Sequence, residues 1–224
     1  MRLFLPLAAA LAMSAPAAAQ EAPAPATHYI PPDSPLATGL DSDGFYEQWF
    51  GKHLASMREP PLWPAAAIDG FRARYRLLVL PSFSEPYMVR IDVRADGSAT
   101  ATYTRTNGRG GYGAGAIVEQ HVRPVTRGAL AAIGRSLAAA RFGARVARFD
   151  DAHDQFGTPV SPPKEITVCT DGTQFVIEAR TRAGDHLVSR HQCELDAPVR
   201  DLILAIARAG RARIPRGDVA LERF

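Results

Sequence analysis

The segment YMVRIDVRADGSATATY, residues 87–103, decides the fold. Apolar and polar residues alternate along both of its halves, which is the period of a half-buried strand. The loop Ala95-Asp96-Gly97 between them suits a three-residue hairpin with Gly97 in the left-handed conformation. In this register every apolar pair shares a face: Val93 with Ala99, Ile91 with Ala101 and Val89 with Tyr103. The sequence therefore predicts an antiparallel hairpin.

The ten residues 71–80, FRARYRLLVL, repeat this alternation ahead of the hairpin. The aromatic and aliphatic side chains fall on one face, and Arg72, Arg74 and Arg76 fall on the other. This pattern predicts a strand with one solvent-exposed side. Residues 116–123 predict a fourth strand after the glycine-rich segment.

Helix signals separate this first meander from a second one. Thr126 is a typical N-cap for a helix that runs through Arg141, and Pro198 and Gly210 bracket a last helix. Another helix is predicted to start at Asp41 or Ser42 and to end before Pro60 and Pro61. The second meander is predicted as three strands, residues 165–169, 173–181 and 185–193.

These elements predict an α+β fold of antiparallel β-meanders with helices packed on one side. Each half of the chain has a meander followed by a helix, so a β-meander–helix duplication is possible.

The cysteines, Cys169 and Cys193, are expected to form a disulfide in an exported protein. A three-residue loop at 182–184 places Thr173 opposite Cys193. If the preceding turn has two residues, 171–172, the two cysteines lie on opposite faces of the sheet. A longer loop at 170–172 puts them on one face, roughly 10 Å apart. Disulfides need Cα atoms within about 7 Å. The bond therefore requires the turn to curl over or a different register.

The first residues have the features of an export signal. Arg2 precedes an apolar run over residues 3–13, and three alanines at 17–19 form a small-residue cleavage site. We expect residues 1–19 to be the signal, 20–40 a Pro/Ala-rich linker in an extended conformation, 41–210 one domain and 211–224 a basic C-terminal tail. The expected location is periplasmic or secreted, with no transmembrane segment after cleavage.

The overall charge limits the classes of ligand that we expect this protein to bind. The formal net charge is +3 at pH 7, too close to balance to indicate nucleic-acid binding. No nucleotide cofactor pool exists in the expected compartment, so we predict no cofactor. Partners are expected among proteins or small anionic ligands of the cell envelope.

The stretch GRGGYG, residues 108–113, matches G-x-G-x-x-G. A dinucleotide site needs this motif between a strand and a helix, whereas here a strand follows. A mobile hairpin loop is the better interpretation, and Tyr112 is its candidate ligand contact.

A candidate binding face lies on the second meander. In the register with the 182–184 loop, four polar side chains share one face: Glu178, Arg180, His186 and Arg190. Glu178 and Arg190 are then diagonal neighbours within reach of each other. A carboxylate beside arginine and histidine could serve acid–base chemistry or anion recognition, or form an exposed salt bridge.

An acidic cluster, Asp150, Asp151, His153 and Asp154, lies in the predicted long loop. Carboxylates and an imidazole are metal-ligand types, but sequence neighbours in a loop rarely converge without a further ligand. We interpret the cluster as a solvated acidic loop and predict no metal site.

The stretch TDGTQFVIE, residues 170–178, with Arg190 downstream, resembles a group of exported, uncharacterised proteobacterial proteins. Their pattern is D-G-x-x-W-x-x-E followed by a strand that ends near an arginine. Phe175 stands in place of the tryptophan, and Asp185-His186 in place of Tyr-His. The resemblance covers about a third of the chain and implies no activity.

The sequence thus favours a non-catalytic exported binding or envelope-accessory protein. One alternative is a small periplasmic enzyme of the hydrolase kind, which would need a pocket that brings Glu178, His186 or Asp151 together. The other is a peripheral lipid binder that uses the arginines near the C-terminus: Arg208, Arg211, Arg213 and Arg216.

Overall fold

A computed structural model describes residues 28–38, 44–148, 153–159 and 171–212. Its centre is one six-stranded antiparallel sheet with strand order β4-β3-β2-β1-β5-β6. The strands are β1 Phe71–Pro81, β2 Tyr87–Arg94, β3 Ala99–Thr106, β4 Ile117–Pro124, β5 Thr173–Thr181 and β6 Gly184–His191. The helices are α1 Pro35–Thr38, α2 Phe45–Ser56, α3 Arg127–Ala139 and α4 Ala197–Gly210. The predicted α+β class is confirmed.

The register of the β2–β3 hairpin is the predicted one. Val93 pairs with Ala99, Ile91 with Ala101 and Val89 with Tyr103. Gly97 has a φ of 83°, the left-handed conformation that the three-residue loop requires. The hairpin follows from local sequence because its turn alone sets which residues pair.

The two meanders form one sheet, because β1 pairs with β2 on one side and with β5 on the other. β5 and β6 complete the sheet as a second hairpin. The strand predicted at residues 165–169 lies outside the described residues, so the duplication of a complete meander stays a prediction.

The first face of the sheet packs against α3 and α4. Thr126 caps α3 by accepting a hydrogen bond from Ala129 N at 3.1 Å, and Asp196 caps α4 through Val199 N at 2.9 Å. The fully buried residues of α4 pack on this face: Val199, Leu202, Ile203 and Ile206. Predicted helix positions are thus confirmed on this side.

The second face is covered as well, by the N-terminal part of the chain. Phe50 and Leu54 of α2 pack on Leu78 and Leu80 of β1, whose side chains alternate with those of the first face. Helices therefore lie on both sides of the sheet, and the expectation that they pack on one side is corrected. The arginine face of β1, predicted to be solvent-exposed, is buried at Arg74 and Arg76, which are 8% and 0% exposed, whereas Arg72 is exposed as predicted.

The packed chain also begins earlier than predicted. The sequence predicts an extended linker over residues 20–40, yet Tyr29, Ile30 and Leu36 are buried and belong to the core of the second face. Glu47 of α2 holds this segment by accepting hydrogen bonds from Tyr29 N at 2.7 Å and Ile30 N at 2.9 Å. Pro-rich sequence resists regular structure, but it can still lay apolar side chains on a sheet.

No helix within the described residues is both long enough and apolar enough to cross a bilayer.

Candidate functional site

The glycine-rich loop after β3 is docked against the end of β1. A Cβ on Gly110 would lie 2.4 Å from the carbonyl carbon of Leu80, so only glycine permits this approach. The Trp49 indole Nε1 donates to Gly110 O at 2.7 Å, which ties the loop to α2. The loop therefore forms part of the packed structure, in contrast to the mobile hairpin loop that the sequence suggested.

This docking creates an open cleft beside α2, which we call the aromatic cleft. It has a volume of about 470 Å³. Eight residues line it: Phe45, Gln48, Trp49, Lys52, Ser82, Gly111, Tyr112 and Asp171. Residues from α2, from the end of β1, from the glycine-rich loop and from the start of β5 thus meet at one place.

Aromatic rings from α2 and from the glycine-rich loop remain accessible at the cleft. Phe45 is 50% exposed and packs beside Trp49, with ring centroids 5.5 Å apart. Tyr112 is 59% exposed and packs beside Phe83, with centroids 6.1 Å apart. Exposed aromatic surface with a polar rim is typical of binding sites.

The polar rim carries balanced charge. Lys52 supplies an ammonium group and Asp171 a carboxylate, while Gln48 and Ser82 supply neutral hydrogen-bonding groups. The indole N–H of Trp49 is already used by Gly110 O, and its partly buried ring packs beside Phe45 and Phe50. The arrangement suits recognition by stacking and hydrogen bonding.

His53 lies one helical turn from Trp49 and is 0% exposed. Burial lowers the pKa of His53 to about 4, the nearby charge of Lys52 acts in the same direction, and the Gly110 backbone opposes both. The imidazole is therefore neutral at pH 7 and forms part of the packing behind the cleft.

Of the sequence-predicted contacts, only Tyr112 lies at this cleft. The other four do not share one face, because the turn between β5 and β6 has two residues, Arg182 and Ala183, and Thr181 pairs with Gly184. Shortening the loop by one residue moves every side chain of β6 to the opposite face of the sheet. The predicted register is therefore wrong: Glu178 pairs with Leu187, and His186 and Arg190 lie on the opposite face of the sheet.

Glu178 and Arg180 lie on the α2 side of the sheet. Arg180 Nη1 donates to Asp185 Oδ1 at 2.9 Å in a partly exposed pair. Glu178 is 5% exposed and accepts two hydrogen bonds from Arg76, from Nε at 2.6 Å and from Nη2 at 2.8 Å. Glu178 is thus part of the interior.

A buried ionic network surrounds this pair, next to the segment that follows α2. Glu59 contacts Arg76 at 3.6 Å and also accepts a hydrogen bond from Arg90 Nη1. Arg90 and Arg74 both bind Asp92, at 3.0 and 2.8 Å. Three carboxylates balance three guanidinium groups: Glu59, Asp92 and Glu178 with Arg74, Arg76 and Arg90. This pairing explains how arginines occupy a covered sheet face.

Arg190 and His186 lie on the α3–α4 side, and Arg190 serves a structural role there. Its guanidinium donates to Val146 O at 2.9 Å and Gln155 Oε1 at 3.0 Å, which anchors the segment before residue 148. Burial lowers the pKa of Arg190 to about 10, so it stays protonated at neutral pH. Burial also lowers the pKa of His186, whose ring meets Phe142 edge-on at 5.1 Å.

A second groove, of about 540 Å³, lies along the outer edge of β6 and includes His153 and His186. Arg145 in its wall already binds Asp196 at 2.6 Å and Ala140 O at 2.6 Å. This groove is larger than the aromatic cleft, but it has no exposed aromatic rings among its described lining residues. The aromatic cleft is therefore the better candidate for ligand contact.

The acidic cluster is only partly described. Asp150 and Asp151 lie outside the described residues, and Asp154 accepts hydrogen bonds from Phe156 N and Thr158 N, both at 2.8 Å. These bonds lower the pKa of Asp154. In the described ranges no three potential metal ligands come together.

Cys169, one partner of the predicted disulfide, lies outside the described residues. Cys193 lies in a short 3-10 helix, Gln192–Glu194, directly after β6. Its Sγ is 3.0 Å from His191 Nδ1. The disulfide stays a prediction.

The sequence predicts a helix over this segment but not the cleft that Phe45 and Trp49 line. Phe50 and Leu54 do face inward, whereas Phe45 projects from the first turn of α2. The position of Phe45 in the first turn of the helix, directly after Gly44, is the sequence feature that could have indicated its exposure.

No protein-family model matches this chain, and no curated protein shows significant sequence similarity to it. Function is therefore inferred from the chemistry of the site itself.

Proposed function

We propose that this protein is an exported, non-catalytic binding protein of the cell envelope and that the aromatic cleft is its contact surface. The main observation behind this proposal is that two half-exposed rings, Phe45 of α2 and Tyr112 of the glycine-rich loop, line one cleft with a polar rim. Aromatic side chains that remain accessible on a folded surface mark sites of recognition.

The cleft is also preorganised. Trp49 is held by its bond to Gly110 O, and the loop that carries Tyr112 is held by Gly110 N donating to Ser84 O at 3.2 Å. A site that is ordered before binding loses little conformational entropy when the ligand arrives.

The Glu178 face, the other surface considered from sequence, supports this role less well. Glu178 and Arg190 are 5% and 1% exposed, and both side chains are hydrogen-bonded within the protein. A hydrolytic role that uses Glu178 with His186 is not supported either, because the two side chains lie on opposite faces of the sheet.

Export and the Cys169–Cys193 disulfide are parts of the same proposal. They are supported by the basic, apolar and small-residue order of residues 1–19 and by the presence of two cysteines. Cell fractionation with N-terminal sequencing tests export: a periplasmic form that begins near Gln20 supports it, and an unprocessed cytoplasmic form contradicts it.

The binding role is tested by retention of solubilised envelope material on the immobilised mature protein. We expect the wild type and Tyr112→Phe to retain the same component, chemically unchanged, and Tyr112→Ala to lose it. Equal retention by Tyr112→Ala, or conversion of the retained component into a product, would contradict the proposal.

A further inference from the structure

We infer that the aromatic cleft binds a neutral glycan that carries hydroxyl and acetamido groups; this inference rests on the proposed binding function. The ligand class follows from three properties of the cleft: its stacking surfaces, its charge balance and its shape.

The stacking surfaces suit a ring with flat apolar faces. The indole N–H of Trp49 donates to Gly110 O, so the part of this partly buried ring that reaches the cleft offers π surface and no hydrogen-bond donor. Phe45 adds a second ring on the same side, and Tyr112 adds one from the loop. The C–H faces of a pyranose ring are apolar and can pack against aromatic rings.

The charge balance favours a neutral ligand over the anionic one expected from the sequence. Lys52 and Asp171 border the same cleft and offset each other. Gln48 and Ser82 provide an amide and a hydroxyl, which can donate to and accept from sugar hydroxyl and acetamido groups. An anion would gain from Lys52 but would be opposed by Asp171.

The shape of the cleft suits a glycan. The surface is a concave cleft of about 470 Å³, within the volume range of small-molecule sites. Because the cleft is open at the surface, a chain of sugar units can extend beyond it.

The test is isothermal titration of the full mature protein with chitotetraose. We expect saturable binding to the wild type, a loss of affinity of at least about tenfold for Tyr112→Ala, and a change within about twofold for Tyr112→Phe. Gln48→Leu should also weaken binding, because it removes a hydrogen-bonding group from the rim while the stacking rings remain. Since Tyr112 is 59% exposed, its truncation leaves the fold intact, which far-ultraviolet circular dichroism verifies.

Absence of heat with chitotetraose at millimolar concentration would overturn the glycan assignment. If Tyr112-dependent retention of an envelope component persists in that case, the binding function stands with another ligand. If Tyr112-dependent retention is also absent, both proposals fail. Binding of chitotetraose that is equally strong in Tyr112→Ala would place the sugar elsewhere and would overturn the cleft as its site.

Discussion

Arg76 of β1 and Glu178 of β5 lie directly opposite each other and form a two-pronged ion pair, with N–O distances of 2.6 and 2.8 Å. Both side chains are buried, 102 residues apart in the chain. The pair joins the two meanders across the centre of the sheet.

Breaking this pair should strongly destabilise the protein. Glu178→Gln leaves the guanidinium of Arg76 buried without its main counter-charge, and we expect a loss of about 3–5 kcal/mol in the free energy of unfolding. Urea denaturation measures it. Asp185→Asn removes the partly exposed partner of Arg180 on the neighbouring strand and should cost less than about 1 kcal/mol. Similar losses in the two variants would show that the buried network is not a special contributor.

Packing of the glycine-rich loop gives a second prediction. Gly110→Ala would place a methyl group 2.4 Å from the Leu80 backbone, so we expect a destabilisation of about 1–3 kcal/mol and displacement of the loop. A methyl group on Gly134 of α3 would meet no described atom within 4 Å, so Gly134→Ala should stabilise by roughly 0.5–1 kcal/mol. Thermal unfolding distinguishes the two, and an unchanged or higher melting temperature for Gly110→Ala would refute the close approach.

Stability should fall as the pH drops from about 6.5 to about 4, in part through His53. Its pKa is lowered from 6.5 to about 4 in the folded protein, so the unfolded chain binds the proton more readily within this window. The contribution of His53 is complete above pH 6.5 and decreases on acidification, by roughly 3 kcal/mol in total. His186 and His191, whose pKa values are also lowered by burial, act with the same sign.

Comparison of His53→Gln with the wild type isolates this contribution. The difference in unfolding free energy between pH 7 and pH 4.5 should be smaller in the variant. His28→Gln, at an exposed position, is the matched control and should retain the wild-type difference. An unaltered pH profile in His53→Gln would contradict the assignment.

The predicted disulfide has its own measurement. Closing a loop of about 25 residues should stabilise the protein by roughly 3.5 kcal/mol. We expect the unfolded, non-reduced mature protein to contain no thiol reactive toward Ellman's reagent and the Cys193→Ser variant to melt at a lower temperature. Two reactive thiols per chain would disprove the bond.

Local turn chemistry explains why the β2–β3 hairpin could be predicted in full. The three-residue loop with Gly97 determines the register without help from distant residues. The β5–β6 hairpin has the same kind of signal, but its loop is one residue shorter than predicted. His186 and Arg190 therefore lie on the face of the sheet opposite to the predicted one.

Long-range packing explains what could not be predicted. The alternation in β1 separates two faces, but it does not reveal that the segment after α2 covers the arginine face or that Glu59 and Glu178 neutralise it. The aromatic cleft is hidden for the same reason. Trp49 and Tyr112 are brought together only because Gly110 lies against the end of β1, a contact between segments that are far apart in sequence.

The most direct test of the aromatic cleft is the fluorescence of Trp49 in a Trp63→Phe background, which leaves one indole in the protein. On titration with solubilised envelope material, we predict a saturable change in Trp49 emission that Tyr112→Ala abolishes and Tyr112→Phe preserves. Retention of an envelope component with no change in Trp49 emission would place binding elsewhere on the protein and contradict the account.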